Sequence, residues 1–319
     1  MKTAFLFPGQ GSQSVGMLAD LAGEEPLVEK TFRDASQILG WDVGRLVREG
    51  PEEELNRTDR TQPVLLAASI AIWRVWRAHE GPRPTLLAGH SLGEYSALVV
   101  AGVLDFADAL KLVELRGLLM QQAVPVGVGG MAAVLGLDDE AVVKLCAEYA
   151  GPGSLEPANF NSPGQVVVGG NVEALDWLQL NGKPRGAKKV TRLTMSVPSH
   201  CSLMRQAAEK LAAKLSVVTL RQPVIPVLHN LDAQVRNSAD GIREALTEQL
   251  FRPVRWSATV RSMADAEIGT FIECGPGKVL TTLNKRILPD VDQSRFLATE
   301  DPAALRDAVQ QVTNETIST

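Results

Sequence analysis

The stretch at residues 89–93, with the sequence G-H-S-L-G, constrains the fold of this chain more than any other feature. An apolar run at residues 86–88 predicts a buried strand before it, and the small residues at 95–101 predict a helix after it. A G-x-S-x-G pattern between a strand and a helix is typical of a nucleophile elbow, a sharp turn that lifts a serine hydroxyl out of the sheet. A glycine-rich turn with a serine N-cap is the alternative. The flanking strand and helix favour Ser91 as a nucleophile.

Charge and cysteine content exclude several classes of protein. The chain has 319 residues, and Lys+Arg 32 against Asp+Glu 37 gives a formal net charge of -5, which argues against a nucleic-acid partner. The three cysteines lie far apart, which predicts a reducing compartment without a disulfide framework, so we expect the chain in the cytoplasm. The first apolar run ends at Pro8, and no run is long enough to cross a membrane, so we expect neither a secretory signal nor a membrane partner. No cluster of side chains has the spacing of metal ligands.

The order of the predicted elements divides the chain into two parts. Residues 1–126 and 197–319 alternate between strands and helices, which predicts a mostly parallel sheet covered on both faces. Residues 127–196 predict the order βαββαβ, with a last strand at 189–195, which is a ferredoxin-like unit inserted into the larger domain. We also expect Thr61 to cap the helix before the elbow, with Pro63 near its first turn, and a strand at 224–228.

A serine at neutral pH requires a base, and the histidines are the candidates. His79 lies in a polar helix end, and His229, at the end of a strand, fits a structural histidine. His90 is adjacent to Ser91, and adjacent side chains at an elbow tend to point apart. His200 lies where the inserted part rejoins the larger domain, and ligands favour such crevices, so His200 is our candidate. No acidic residue is close to it in sequence, and a backbone carbonyl could orient its ring instead.

Arg116 occupies an unusual position for a charged residue. The helix predicted at about 105–123 carries an apolar stripe, and Arg116 falls within that stripe. A buried charge is costly unless it is paired. Arg116 therefore forms either a structural ion pair with a buried carboxylate or a cradle for a substrate carboxylate, which suits the planar guanidinium. The helix pattern alone leaves both interpretations open.

Four segments of the chain carry a family resemblance. They are F-P-G-Q-G-S-Q at 7–13, G-H-S-L-G-E-Y-S-A-L at 89–98, V-P-S-H at 197–200 and E-C-G-P-G at 273–277. In this order, across nearly the whole chain, they resemble the bacterial malonyl-CoA:acyl-carrier-protein transacylases of type II fatty acid synthesis. The resemblance implies an α/β fold, with an α/β-hydrolase-like core and an inserted ferredoxin-like subdomain. It also implies transfer of a malonyl group from coenzyme A to the phosphopantetheine thiol of an acyl carrier protein.

The resemblance further implies catalytic roles at matching positions. Ser91 would be the nucleophile that carries the malonyl ester, and His200 would be its base. The backbone amides of Gln10 and Leu92 would form the oxyanion hole. Malonyl-CoA and the phosphopantetheinylated carrier protein would be substrates, with no bound cofactor, and we expect a monomer.

Two further positions receive roles from the same resemblance. Arg116 would bind the free carboxylate of malonate, which decides between the two interpretations above. The main-chain carbonyl of Gln249 would orient the histidine. Phe251 and Arg252, which follow it, depart from the pattern that the family has in this segment.

Three other functions use similar motifs. They are the malonyl-transferring subunit of a malonate decarboxylase, a serine thioesterase and a non-catalytic scaffold that binds carrier protein. An acidic carrier protein would dock on a local basic patch, because the chain itself is acidic. Two clusters of basic residues are candidates: Lys183, Arg185, Lys188 and Lys189 in the inserted part, and Lys278, Lys285 and Arg286 near the C-terminus.

Overall fold

The computed structural model of the chain describes residues 2–193, 197–289 and 294–317, and the predicted α/β class is confirmed. The strands of this described part are β1 (Lys2–Phe7), β2 (Leu86–Gly89), β3 (Gly129–Leu135), β4 (Leu155–Ser162), β5 (Gln165–Asn171), β6 (Lys189–Arg192), β7 (Val227–Leu228), β8 (Ile268–Glu273) and β9 (Arg295–Ala298). The first helices are α1 (Ala19–Glu24), α2 (Pro26–Leu39), α3 (Val43–Glu49), α4 (Glu52–Leu55), α5 (Thr58–Ala78), α6 (Gly93–Val100) and α7 (Phe106–Ala123). The later helices are α8 (Asp139–Ala147), α9 (Val172–Asn181), α10 (Arg205–Leu215), α11 (Ala239–Gln249), α12 (Trp256–Asp265), α13 (Val279–Ile287) and α14 (Pro302–Ile317).

The first sheet is parallel and runs in the order β7-β2-β1-β8-β9. Its central strand β1 is buried from Thr3 to Phe7, and only Lys2 is exposed. Because alternate side chains point to opposite faces, Phe5 and Phe7 pack into one apolar cluster and Ala4 and Leu6 into another. A nearly continuous apolar strand is what a parallel sheet covered on both faces requires.

The second sheet is antiparallel and runs in the order β4-β5-β3-β6. With α8 and α9 it forms the predicted βαββαβ order, and Val134, Leu145, Val168 and Leu175 belong to its own apolar cluster. Strand β6 ends at Arg192, and the remainder of the strand predicted to residue 195 lies outside the described residues. Ala158 and Phe160 exchange backbone hydrogen bonds with Val254, which ties this sheet to the segment before α12.

The carboxyl ends of three adjacent parallel strands meet at one edge of the first sheet. The loop with Gln10 follows β1, Ser91 follows β2, and Asn230 follows β7. In open α/β sheets, ligands bind outside the carboxyl ends of the strands. The topology therefore brings these three loops to the place where a site is expected.

Two local expectations are wrong. Helix α5 begins at Thr58, so Thr61 is not its cap; the Thr61 hydroxyl donates to the carbonyls of Leu55 and Arg57, and Pro63 lies inside the helix. Strand β7 is shorter than predicted, because Pro226 has no N–H to donate to a ladder. Among the described residues, none of the helices combines the length and apolar character needed to cross a bilayer.

Candidate active site

The turn after β2 is a nucleophile elbow in its backbone geometry. Ser91 has φ of 51°, in the left-handed region that side chains rarely adopt. A Cβ on Gly89 would lie 1.9 Å from the carbonyl carbon of Gly93, and a Cβ on Gly93 would lie 1.9 Å from the carbonyl oxygen of Phe7. Both glycines are therefore required by the close approach of β1, β2 and α6, and their packing holds Ser91 in its strained conformation.

Ser91 and His200 meet across the crevice. The Ser91 Oγ lies 2.7 Å from His200 Nε2, and His200 Nδ1 lies 2.6 Å from the main-chain oxygen of Gln249. A carbonyl oxygen can only accept, so Nδ1 carries the proton and Nε2 presents its lone pair to the serine hydroxyl. The resulting arrangement can remove a proton from Ser91.

The surroundings of His200 keep its ring neutral. Burial, and after it the positive charge of Arg116, lower the pKa of His200 to about 3. The imidazole is therefore uncharged at neutral pH and free to accept a proton.

Arg116 is buried, with 1% of its surface exposed, and its hydrogen-bond partners are neutral. Its Nη1 donates to Gln62 Oε1 at 2.8 Å, and its Nη2 donates to Gln249 Oε1 at 3.0 Å and to Ser91 Oγ at 3.3 Å. Within the residues that the structure describes, Arg116 forms no ion pair, and its Nε has no hydrogen-bond partner. Burial lowers the pKa of this guanidinium. A cation without a carboxylate partner, next to a serine hydroxyl, can attract an anionic substrate group.

Two backbone amides beside the serine have no protein acceptor. Gln10 and Leu92 line the same cavity as Ser91. Neither amide donates a hydrogen bond to another atom of the described chain. Free N–H groups at such a position can stabilise a developing oxyanion.

A buried network that the sequence did not predict supports the elbow. Glu94 accepts hydrogen bonds from the backbone N–H of Asn230 at 2.9 Å and from Gln249 Nε2 at 3.0 Å. Asn230 Oδ1 accepts from the Ser91 N–H at 2.7 Å, and Gln249 Nε2 also donates to the Ser91 carbonyl at 3.0 Å. Only the position of Glu94 inside the second motif and of Asn230 at a strand end could have drawn attention to them.

The remaining histidines near the elbow have other partners. His90 Nε2 lies 2.8 Å from Asn161 Oδ1, and burial lowers its pKa. His229 Nδ1 lies 2.7 Å from Glu94 Oε1, so it is a bonded structural histidine, as predicted. The structure thus brings together His200, Arg116, Gln249, Gln10 and Leu92 around Ser91, and it leaves the other histidines in supporting positions.

The site opens into a cavity of 470 Å³ between the two sheets. One wall carries Gln10, Ser91 and Arg116 from the parallel-sheet side, and the facing wall carries Met131 and Val167 from the antiparallel sheet. Residues of α13 and the turn before it complete the lining: Lys278, Val279, Leu280, Thr282, Leu283 and Arg286. Among the described residues, no group of three or more His, Cys, Asp or Glu side chains is arranged to hold a metal ion. A cleft of this size between two units is a common form of ligand site.

Comparisons with known proteins show which family and which solved structures this chain is similar to. A family model described as "Acyl transferase domain" matches residues 4–315. The malonyl CoA-acyl carrier protein transacylase of Salmonella typhimurium is 53% identical over 308 residues, which cover 97% of this chain and 99% of that protein. The transacylase structure from Coxiella burnetii is 46% identical with a TM-score of 0.95 and covers 98% of both chains. A malonyl-transacylase in complex with a type II PKS acyl-carrier protein is 52% identical with a TM-score of 0.95, covering 98% of this chain and 100% of that one.

Proposed function

The chain belongs to the acyl transferase domain family, and on that premise we propose that it is a malonyl-CoA:acyl-carrier-protein S-malonyltransferase of fatty acid synthesis. It moves a malonyl group from coenzyme A to the phosphopantetheine thiol of an acyl carrier protein. The names of the relatives and the carrier-protein complex of a similar transacylase support this activity. The observation that carries the proposal is the buried Arg116, which lies within 3.3 Å of the Ser91 hydroxyl and whose hydrogen-bond partners among the described residues are neutral.

In the first half-reaction, Ser91 attacks the thioester carbonyl carbon of malonyl-CoA. The hydroxyl proton passes to His200 Nε2, and the 2.7 Å hydrogen bond between the two supports this transfer. The amides of Gln10 and Leu92 donate to the oxyanion, and losing one such donor costs roughly 100-fold or more in rate. The carbon–sulfur bond then breaks, the leaving thiolate takes the proton from His200, and a malonyl-serine ester remains.

In the second half-reaction, the phosphopantetheine thiol of the carrier protein attacks the malonyl-serine ester. His200 accepts the thiol proton, the same amides stabilise the oxyanion, and the Ser91 oxygen leaves with the proton from His200. The reaction is therefore ping-pong covalent catalysis. The Gln249 carbonyl keeps the His200 proton on Nδ1 throughout, so that Nε2 remains the base.

Arg116 selects the acyl group. Its guanidinium pairs with the free carboxylate of malonate, a task for which charge-assisted hydrogen bonds are suited. The pairing also reduces the positive field on His200, because the charge of Arg116 is one of the causes that lower the His200 pKa. Binding of the correct acyl group thereby raises the pKa of His200 and makes its Nε2 a stronger base.

The three alternatives have less support. The relatives and structures reported above carry the transacylase name. A thioesterase would have no use for a buried cation beside the nucleophile, and a non-catalytic scaffold would not require a strained serine hydrogen-bonded to a neutral histidine.

We also propose that the division of the chain follows the two sheets, with residues 127–196 as the inserted subdomain and 1–126 with 197–319 as the catalytic core. The separate apolar clusters of the two sheets support this division. A cytoplasmic location is the further expectation, because three free, buried cysteines fit a reducing compartment.

Intact mass spectrometry after mixing with malonyl-CoA tests the function. The wild-type protein is expected to gain one malonyl group and to lose it when phosphopantetheinylated carrier protein is added. Ser91→Ala should form no adduct, because it lacks the attacking oxygen. Ser96→Ala is the matched control, since Ser96 is a buried serine on α6 whose hydroxyl has no hydrogen-bond partner among the described residues, and it should be malonylated normally. A malonyl adduct on Ser91→Ala contradicts the assignment.

A further inference from the structure

The buried charge of Arg116 needs a counter-charge, and none of its hydrogen-bond partners provides one. Gln62, Gln249 and Ser91 are all neutral. The Tyr95 ring lies under the guanidinium at 5.4 Å, and burial raises the pKa of Tyr95 to about 12, so the tyrosine is also uncharged. An isolated buried cation is strongly destabilising. Some other group must therefore offset the charge from farther away.

Glu94 lies one side chain beyond Arg116 and is completely buried. The side-chain amide of Gln249 bridges the two: its Nε2 donates to Glu94 Oε2 at 3.0 Å, and its Oε1 accepts from Arg116 Nη2 at 3.0 Å. A carboxylate only accepts and a guanidinium only donates, so together they determine which way the amide faces. The bridge links the two charges without direct contact.

The protonation of His229 decides whether the Glu94–His229 pair has a net negative charge. His229 is also completely buried, and its Nδ1 lies 2.7 Å from Glu94 Oε1. Its Nε2 has no hydrogen-bond partner in the part of the chain that is described. A protonated ring would leave an N–H donor buried and unpaired at Nε2, which is costly, whereas a neutral ring leaves only a lone pair there. His229 therefore donates from Nδ1 as a neutral ring, and the Glu94–His229 pair keeps the negative charge of Glu94.

We propose that Glu94 is the counter-charge of Arg116, acting through the Gln249 amide. Burial lowers the pKa of Arg116, and Tyr95 and after it the charge of Glu94 raise that pKa against the effect of burial, which agrees with this role. A direct bidentate ion pair would occupy two guanidinium N–H groups, whereas the amide bridge occupies one, at Nη2, and leaves more N–H groups for a ligand. This last consequence rests on the proposed function, in which the ligand is the malonyl carboxylate. Glu94 is then a positioning residue that keeps the charge of Arg116 stable and available.

A double-mutant cycle measured by urea unfolding tests the proposal without any acyl transfer. Glu94→Gln keeps the size of the side chain, and its single oxygen can still accept from Asn230 and Gln249. Its NH2 group then faces His229 Nδ1, so the substitution removes the charge and also changes the contact with His229. In the wild-type background it leaves Arg116 uncompensated, and the unfolding equilibrium constant should rise about 10-fold or more. In an Arg116→Met background the cation is already absent and Glu94 is the uncompensated charge. There, Glu94→Gln should leave stability unchanged or increase it.

The cycle also removes the local effects of the substitution. Any rearrangement at His229 is present in both backgrounds and cancels in the difference. Equal destabilisation by Glu94→Gln in the two backgrounds overturns the proposal. If Glu94→Gln does not fold alone, folding of the double variant supports the proposal, and failure of both counts against it.

Glu273→Gln is the matched control. Glu273 is a buried carboxylate that accepts from the backbone N–H groups of Leu280 and Thr281 at the start of α13. Its replacement should destabilise equally with and without Arg116. Wild-type protein that is not malonylated by malonyl-CoA would overturn the proposed function, while the urea cycle would still decide the role of Glu94.

Discussion

The two facing walls of the cavity differ in how their side chains are held. On the wall of the parallel sheet, Ser91, His200 and Arg116 are each fixed by hydrogen bonds of 2.6–3.3 Å. On the wall of the antiparallel sheet, Met131 and Val167 form a small apolar cluster. Reaction chemistry requires groups with fixed positions, whereas a wall that shapes a cavity requires only volume. Under the proposed function, the first wall carries the reacting groups, and the apolar part of the second wall limits the space around them.

Arg116→Ala should produce the largest change in selectivity. Acetyl lacks the carboxylate that the guanidinium pairs, so transfer from malonyl-CoA should fall far more than transfer from acetyl-CoA. A charge-assisted contact contributes about 2–4 kcal/mol, so the ratio of the two kcat/KM values should shift about 30- to 1000-fold. Steady-state kinetics with both substrates measure this ratio. Equal losses would mean that Arg116 is structural and that the first wall does not select the acyl group.

Charge reversal on α13 should have an intermediate effect. Lys278 and Arg286 line the cavity, and Arg286 also donates to Gln165 Oε1 at 2.8 Å. Arg185 of the other basic cluster is ion-paired with Glu148, so we expect carrier protein to dock on α13. Reversal of Lys285 and Arg286 should raise the KM for carrier protein about 10-fold at low salt and change the reaction with malonyl-CoA less. The effect should shrink with added salt, because exposed charges are screened over about 10 Å at 0.1 M.

The same measurement on the second basic cluster tests whether carrier protein docks there instead. Charge reversal at Lys188 and Lys189, at or just before the start of β6 in the antiparallel sheet, is the matched control. A larger rise in KM for that pair than for the α13 pair would place docking on the second wall's side of the cavity.

Leu193→Ala should have a small effect that does not depend on the acyl group. Leu193 lines the cavity and packs on the cluster of Met131, Ala158 and Val167. Removing its side chain enlarges the cavity without touching a reacting atom, so kcat/KM should fall less than about 10-fold for malonyl-CoA and acetyl-CoA alike. A shift in the ratio between the two substrates would show that the second wall also selects the acyl group.

The rate of Ser91 acylation should depend only weakly on pH, which makes this the smallest of the expected effects. Because the pKa of His200 is lowered to about 3, the neutral base persists on the acid side of its ordinary value of 6.5. The second-order rate constant for malonyl-serine formation, which reports the free enzyme, should change less than about twofold between about pH 8 and about pH 5 in rapid-quench measurements at low malonyl-CoA concentration. An imidazole with an ordinary pKa would lose about 97% of its neutral form by pH 5. A decline in the acylation rate centred near pH 6.5 would therefore contradict the lowering of the His200 pKa by burial.

The parts of the site that the sequence predicted depend on local pattern. A short motif between a clear strand and a clear helix predicts Ser91, and a charge that interrupts an apolar stripe predicts Arg116. His200 followed from its position at a junction in the chain. For Ser91 and Arg116 the evidence lies in the same predicted element or its neighbours, whereas for His200 it lies in the order of elements across residues 127–196.

The parts that were missed depend on contacts between distant segments. Gln62, Glu94 and Asn230 come from α5, α6 and the end of β7, and only the tertiary fold brings them to the elbow. Gln249 was assigned through the family resemblance alone. The prediction of the start of α5 is wrong because Arg57, at the true N-cap, makes no side-chain capping hydrogen bond and so gives no sequence signal. Thr61 and Pro63 have the residue types of a helix start but lie inside the helix.

A competition between two acyl donors tests the central claim most directly. Wild-type protein is mixed with equal concentrations of malonyl-CoA and acetyl-CoA without carrier protein, and intact mass spectrometry after rapid quenching gives the adduct on Ser91. If the Arg116 guanidinium binds the carboxylate of the acyl group, the malonyl adduct should exceed the acetyl adduct about 30-fold or more. Equal amounts of the two adducts would contradict the account.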